Sequence, residues 1–97
     1  MSCVVGNEQD GEFLATLCDI SRRGVGLTFC FRPAIDTLLP VGLPNSHSRR
    51  PYLRLLRVAY AEPLDECRWQ GGGQFVRPLS EEELRSILHR INRKSAR

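Results

Sequence analysis

No run in this sequence approaches the roughly 18 consecutive apolar residues that a helix needs to cross a bilayer. Residues 1–11 also lack the basic start and the apolar centre of a secretory signal peptide. We therefore expect a cytoplasmic protein that does not contact the membrane.

Metal-ligand spacings are missing as well. The four cysteines form no C-x-x-C pair, and the two histidines lie far from them along the chain. Cys18 and Cys30 stand in apolar runs, which predicts that both are small buried hydrophobic residues kept reduced in the cytosol. We expect neither a metal ion nor a cofactor.

Catalytic patterns are equally scarce. The sequence has no nucleophile in a recognisable elbow, no histidine cluster, and no glycine-rich phosphate loop between a strand and a helix. The acidic run Glu81–Glu83 is better explained as the first turn of a helix than as a general acid or base. The sequence therefore predicts a protein that is not an enzyme.

Lysine is almost absent, because Lys94 is the single lysine among 14 basic residues. Arginine is preferred where a planar cation stacks or binds two oxygens at once, but a GC-rich genome gives the same bias, and both explanations stay open. The net charge of +3 is too small to indicate nucleic-acid binding by itself.

One stretch does mix an aromatic residue with cations, as single-stranded nucleic-acid binders do. It contains Arg49, Arg50, Tyr52, Arg54 and Arg57. Strand alternation would place Arg54 and Arg57 on opposite faces, which argues against a single basic patch. Nucleic acid is therefore the least favoured of the partners considered.

The chain of 97 residues suits one domain with a modest core. Short apolar runs between turn residues predict six strands over about residues 1–77, and one barrel or sandwich is the most that a chain of this length can form. Their approximate bounds are 1–5, 12–18, 25–31, 38–43, 52–61 and 67–76. Pro40 removes a ladder donor and places the fourth strand at an edge or in an irregular crossover, and an apolar parity switch at Leu55-Leu56 predicts a β-bulge.

A helix is predicted from residue 80 to about 93. Ser80 and Glu83 have the spacing of a capping box, and Leu79 with Leu84 has that of a hydrophobic staple. Leu84, Ile87, Leu88 and Ile91 then form one apolar stripe, which we expect to pack on the barrel.

Three consecutive glycines, Gly71–Gly73, occupy the last predicted strand. Glycine in a strand costs conformational entropy and supplies no side chain to pack. Either another backbone, Trp69 or a ligand therefore lies close over these residues, or the strand bulges there.

The stretch Asp19-Ile20-Ser21-Arg22-Arg23-Gly24 lies between two predicted strands and has the chemistry of a turn. Asp19 and Ser21 can bond nearby backbone N–H groups, and Gly24 can take a positive φ. The same groups suit a polar ligand, since the carboxylate can accept a pair of N–H donors such as those of a guanine edge. Arg22 and Arg23 could stack on a base or bind a phosphate. A plain turn and a ligand-binding turn both stay open.

Asp-x-Ser-x-x-Gly followed by Val25-Gly26-Leu27 resembles the second motif of PilZ domains, which are small bacterial β-barrels that act as cyclic di-GMP receptors. The likeness covers roughly residues 11–92. It implies a single domain with a six-stranded antiparallel barrel capped by an amphipathic C-terminal helix. It also implies a non-catalytic part in second-messenger signalling, with cyclic di-GMP as the ligand and a downstream protein as the partner.

The resemblance assigns roles to five residues. Asp19 and Ser21 would hydrogen-bond a guanine base, Gly24 would let the backbone approach, and Arg22 or Arg23 would add charge. PilZ receptors also use an Arg-x-x-x-Arg pair before the first strand, whereas no arginine precedes Arg22 here. Either the start is truncated or misassigned, or the protein is a divergent member. The alternative function is therefore a PilZ-like interaction domain that no longer binds nucleotide.

Overall fold

A computed structural model describes residues 2–7 and 11–95, which form a closed barrel of six antiparallel strands followed by one helix. The elements are β1 (Ser2–Asn7), β2 (Gly11–Ile20), β3 (Gly24–Phe29), β4 (Leu38–Leu43), β5 (Tyr52–Pro63), β6 (Trp69–Phe75) and α1 (Glu81–Ser95). Around the barrel the order is β1-β2-β3-β6-β5-β4. The predicted fold class is thus confirmed. Across the described residues, no helix combines the length and apolarity that a membrane crossing requires.

The barrel interior is filled by inward-facing side chains from alternate positions of the strands. On β3, Val25, Leu27 and Phe29 are almost completely buried, as the sequence predicts, and on β5 Leu56 and Val58 are fully buried. Burying one such side chain stabilises the folded state by about 1.5–3 kcal/mol. The opposite positions face outward and are free to form a surface site.

The fourth strand is not at an edge, in contrast to the prediction. β4 pairs with β5 along its whole length, and it pairs with β1 through Val4 and Val5, which closes the barrel. Pro40 is exposed and falls just beyond the short pairing with β1. The missing N–H of Pro40 therefore costs no hydrogen bond in the pairing of β1 with β4.

The predicted bulge at Leu55-Leu56 is wrong, because β5 is regular there and bulges at Ala59. Pairing with β4 runs without a shift from Tyr52 to Arg57, and the register against β6 shifts between Val58 and Tyr60. The switch in apolar parity does not mark a bulge, because Leu53 and Leu55 point outward while Leu56 points inward. The inward position between them holds Arg54, which is only 9% exposed.

The helix begins with the predicted capping box. The Ser80 N–H donates to Glu83 Oε1 at 2.8 Å, and the Glu83 N–H donates to Ser80 Oγ at 3.0 Å. The same carboxylate accepts a hydrogen bond from the guanidinium of Arg54, and the two groups form a salt bridge. The Ser80 backbone first, and Arg54 second, lower the pKa of Glu83. Glu83 thus links the start of α1 to the barrel.

Candidate functional site

The Asp19–Gly24 motif is divided between a strand and a turn. β2 continues through Ile20 and β3 starts at Gly24, so the turn itself is Ser21–Arg23. The Ser21 N–H donates to the Gly24 carbonyl at 2.9 Å, and Ser21 Oγ accepts from the N–H groups of Arg23 and Gly24 at 3.3 Å each. Ser21 therefore stabilises the turn. Its own O–H lies 3.5 Å from the Gly24 carbonyl, a weak bond that a ligand could replace.

Gly24 does not have the positive φ predicted for it. It is the first residue of β3, and its φ lies outside the left-handed region. A Cβ at this position would lie 2.2 Å from the carbonyl oxygen of Gly73. Glycine is needed here because the backbone of β6 passes close by, and the turn geometry does not require it.

A bulge in β2 controls where Asp19 points. Leu17 pairs with the fully buried Leu27, whereas Asp19 pairs with Gly26, which leaves Cys18 as the extra residue. Without the bulge, the strand period of two would turn Asp19 inward like Leu17. Instead its carboxylate lies on the outer face, where a Cβ on Gly26 would be 2.9 Å from Asp19 Oδ1.

The predicted burial of Cys18 is wrong, because the strand period places Cys18 on the outer face like Thr16, opposite to Leu17. Cys18 is exposed on the outer face, and its Sγ lies 3.1 Å from Thr28 Oγ1. Cys30 is exposed too, since β3 ends at Phe29 and Cys30 follows it. Cys3 is the cysteine that enters the core, and burial raises the pKa of its thiol to about 11.

The bulge in β5 turns Tyr60 outward, as the bulge in β2 turns Asp19 outward. Val58 is fully buried, so a regular strand would direct Tyr60 into the barrel. The extra residue at Ala59 turns Tyr60 outward, where it is 38% exposed and pairs with Gly72. Its hydroxyl oxygen lies 3.1 Å from the position that a Cβ on Gly72 would occupy.

The two outward side chains belong to one row across four strands. Gly26 pairs with Gly72, so the order across β2, β3, β6 and β5 is Asp19, Gly26, Gly72 and Tyr60. The carboxylate covers one glycine and the phenol covers the other. Burial first, and the charge of Asp19 next, raise the pKa of the Tyr60 phenol, which therefore stays protonated and can donate a hydrogen bond.

The glycine run of β6 is explained by close backbone contact, the first of the predicted alternatives. A Cβ on Gly72 would lie 2.3 Å from the Val25 carbonyl oxygen, and one on Gly73 would lie 1.9 Å from that of Arg57. Both distances are far shorter than nonbonded carbon–oxygen contacts allow. The strands on either side of β6 therefore leave no room for side chains at these positions.

An open hollow of about 380 Å³ lies against this row. Its walls are formed by Asp19, Ile20, Ser21, Arg23, Gly24, Val25, Ala59, Tyr60, Gly73 and Gln74. The structure thus brings together all the predicted site residues except Arg22. Tyr60 was missed because no local pattern marks the β5 bulge, and Gln74 was missed because only the pairing of β6 with β3 places it beside Gly24. The glycine run was the one available signal.

Arg22 is engaged elsewhere. Its Nε donates to the Leu79 carbonyl at 3.0 Å, and its own carbonyl accepts from the Leu79 N–H at 2.7 Å. The carbonyl of Arg23 accepts from the Phe75 N–H at 2.7 Å, while the Arg23 side chain is exposed. The turn is thereby fixed to the end of β6 and to the segment that precedes α1, and Arg23 is the cation that lines the hollow.

The hollow offers a small set of complementary groups. Asp19 accepts hydrogen bonds, Gln74 donates and accepts, Tyr60 supplies a phenol and an aromatic face, and Arg23 carries positive charge. The volume is at the lower end of the range for small-molecule sites. Such a set suits a planar polar ring that bears N–H donors and an attached anion.

Two other kinds of site find little support. Within residues 2–7 and 11–95, no group of three or more His, Cys, Asp or Glu side chains could hold a metal ion. In the basic stretch, Arg54 is buried against Glu83 while Arg57 is exposed, as the alternation predicts. Those two arginines therefore do not form one nucleic-acid-binding patch.

No protein-family model, curated protein or solved structure matches this chain. A proposal of function therefore depends on the chemistry of the residues that line the hollow.

Proposed function

We propose that the protein is a non-catalytic cyclic di-GMP receptor of the PilZ type, which passes ligand occupancy to a protein partner. The observation that carries the proposal is the position of the Asp-x-Ser-x-x-Gly pattern. Asp19, Ser21 and Arg23 reach the same hollow from the end of β2 and the turn after it. A guanine nucleotide has the N–H donors and the phosphate charge that complement this set.

The groups suggest how the ligand would be held. The exposed Asp19 carboxylate would accept the two neighbouring N–H donors of a guanine edge, a charge-assisted pair of the strong kind. Arg23 would face a phosphate, because Arg22 is held by Leu79. Ser21 would contribute its O–H and keep the turn in shape.

Replacing Asp19 with asparagine tests the proposed guanine contact. The change keeps size and shape but removes the negative charge and replaces one acceptor by a donor. Hydrogen bonds to charged groups contribute roughly 1.5–3 kcal/mol, so Asp19→Asn should weaken cyclic di-GMP binding by about 10- to 100-fold. Isothermal titration calorimetry of the purified chain measures both affinities.

A matched control is Asp36→Asn. Asp36 is an exposed loop residue with a φ of 67°, which asparagine also tolerates, and it does not line the hollow. This variant should bind cyclic di-GMP like the wild type. Absence of binding heat from the wild type at near-millimolar ligand would refute the proposed receptor function.

A second candidate function is an interaction domain without a nucleotide. The outer face of β4 and β5 is apolar, since Leu38, Leu53 and Leu55 are 45%, 69% and 43% exposed. Leu38 and Leu55 line a groove of about 660 Å³ together with Arg32, and Arg57 pairs with Leu38 across the strands. A partner segment with apolar anchors and carboxylates would complement this surface.

The barrel closure limits how such a partner could dock. Each of the six strands has a neighbour on both sides, so no strand offers a whole free edge to an added strand. Contact would be made by side chains on the β4–β5 face. The two arginines would also repel a second copy of this face, which favours an acidic partner over self-association.

A labelled peptide of alternating leucine and glutamate tests the second candidate. Its fluorescence anisotropy should rise with added protein, and Leu55→Ser should weaken binding about tenfold because one leucine contact is lost. A leucine–lysine peptide and the variant Leu14→Ser serve as controls, since Leu14 is 67% exposed but lies outside the groove. Equal binding of both peptides would contradict the charge-complementary surface.

A further inference from the structure

The ring of Tyr60 lies across the barrel surface instead of standing away from it. Tyr60 belongs to β5, yet its hydroxyl oxygen is over Gly72 of the neighbouring strand β6. Strands are about 4.8 Å apart, so the side chain must lean over most of that spacing. The hydroxyl end of the side chain therefore lies over the backbone of β6.

Two features of the chain produce this orientation. The bulge at Ala59 turns Tyr60 outward, and the missing side chain at Gly72 leaves the space that its hydroxyl end occupies. A Cβ there would approach the hydroxyl to 3.1 Å. The ring remains accessible from the hollow, because Tyr60 is 38% exposed and lines it.

The neighbouring groups fix what the open side can receive. The carboxylate of Asp19 lies over Gly26, and Gly26 is paired with Gly72 under the phenol. Carboxylate and phenol thus lie over two paired glycines whose strands are about 4.8 Å apart. A flat heterocycle placed on the ring would direct one edge toward Asp19.

We infer that Tyr60 is the stacking platform of this hollow and that, with Asp19 at the edge, it selects a purine base. The inference rests on the proposed nucleotide-binding function and adds the residue that holds the base by its face. A purine covers more of an aromatic ring than a pyrimidine does, so Tyr60 favours guanine nucleotides over cytosine nucleotides. Stacking on the Tyr60 ring contributes more to this affinity than a hydrogen bond from its hydroxyl does.

Guanosine monophosphate is the probe that tests Tyr60 directly. Addition of this nucleotide to the wild-type protein should shift the NMR signals of the Tyr60 ring, and cytidine monophosphate should shift them less. Tyr60→Phe keeps the ring and should retain affinity for guanosine monophosphate within about twofold. Tyr60→Leu removes it and should lower that affinity about tenfold or more.

Leu14→Ala provides the control, because Leu14 is an exposed outward residue of β2, the strand that carries Asp19, and does not line the hollow. It should leave nucleotide binding unchanged. The wild-type ring shifts need no variant, so the inference stays testable if Tyr60→Leu unfolds the protein.

A parallel titration with cyclic di-GMP separates the two proposals. Cyclic di-GMP binding that Tyr60→Leu leaves unchanged would overturn the stacking role and retain the receptor function. Ring shifts with guanosine monophosphate but no binding of the cyclic dinucleotide would support the stacking role and overturn the receptor function. Absence of both effects would overturn both.

Discussion

Replacing Glu83 with alanine is expected to reduce the free energy of unfolding by about 3 kcal/mol, at the lower end of the cost of breaking a buried ion pair. The change leaves the guanidinium of Arg54, whose side chain is 7% exposed, without its carboxylate partner. It also removes one half of the capping box at Ser80. Urea denaturation followed by the fluorescence of Trp69 measures the loss.

Glu82→Ala is the matched control. Glu82 occupies the same acidic first turn but is exposed, so its replacement should change stability by less than about 0.5 kcal/mol. The double variant Arg54→Met with Glu83→Ala should recover about 1–2 kcal/mol relative to Glu83→Ala, since the unpaired buried charge is then gone. An equal loss in Glu82→Ala and Glu83→Ala would contradict the role of the ion pair.

The pH dependence provides a second signature of Glu83. Its pKa in the folded state lies below the ordinary value of 4.5, so its contribution is complete above pH 4.5 and is lost as the pH falls through the lower folded-state pKa. The wild type should therefore lose stability in that acidic range through Glu83. The difference in stability between wild type and Glu83→Ala should shrink over the same range.

Replacing Gly73 with alanine is expected to destabilise the barrel by about 3 kcal/mol, or to prevent folding. The new Cβ would lie 1.9 Å from the carbonyl oxygen of Arg57 and 2.9 Å from the backbone nitrogen of Ala59. Both atoms belong to the main chain, so β5 and β6 would have to separate. Thermal unfolding followed by circular dichroism measures the effect.

Gly6→Ala is the corresponding control in another strand. A Cβ at Gly6 would meet the side-chain carbons of Pro40 at 3.4 Å, which is an ordinary contact. This variant should keep the stability of the wild type within about 0.5 kcal/mol. Equal stability of Gly73→Ala and Gly6→Ala would show that β5 can yield without cost at the bulge.

The features that depend on neighbouring residues in the chain could be predicted from the sequence. The capping box needs Ser80 and Glu83 three positions apart, and both hydrogen bonds are present. The alternation of large and small residues on β3 likewise predicted a row of inward side chains. These patterns predicted the strands and the C-terminal helix, whereas the closed six-stranded barrel was predicted from the resemblance of the Asp19–Gly24 motif to a known family.

Features that depend on a distant strand could not be predicted in the same way. Each bulge is defined by the register against a partner strand, so nothing in the run around Ala59 or Cys18 marks the extra residue. Arg54 takes an inward position because Glu83 arrives from α1 to pair with it. The outward placement of Tyr60 in the candidate site follows from the register of β5 against β6.

The hydrogen bonds between the turn and the segment before α1 have a mechanical consequence. Arg22 exchanges two bonds with Leu79, and Arg23 accepts one from Phe75. Each such bond contributes roughly 1 kcal/mol, so a shift of the turn would either break some of these bonds at that cost or move Leu79 and the start of α1 with it. A molecule that binds against the turn and displaces it would therefore change the orientation of α1 relative to the barrel.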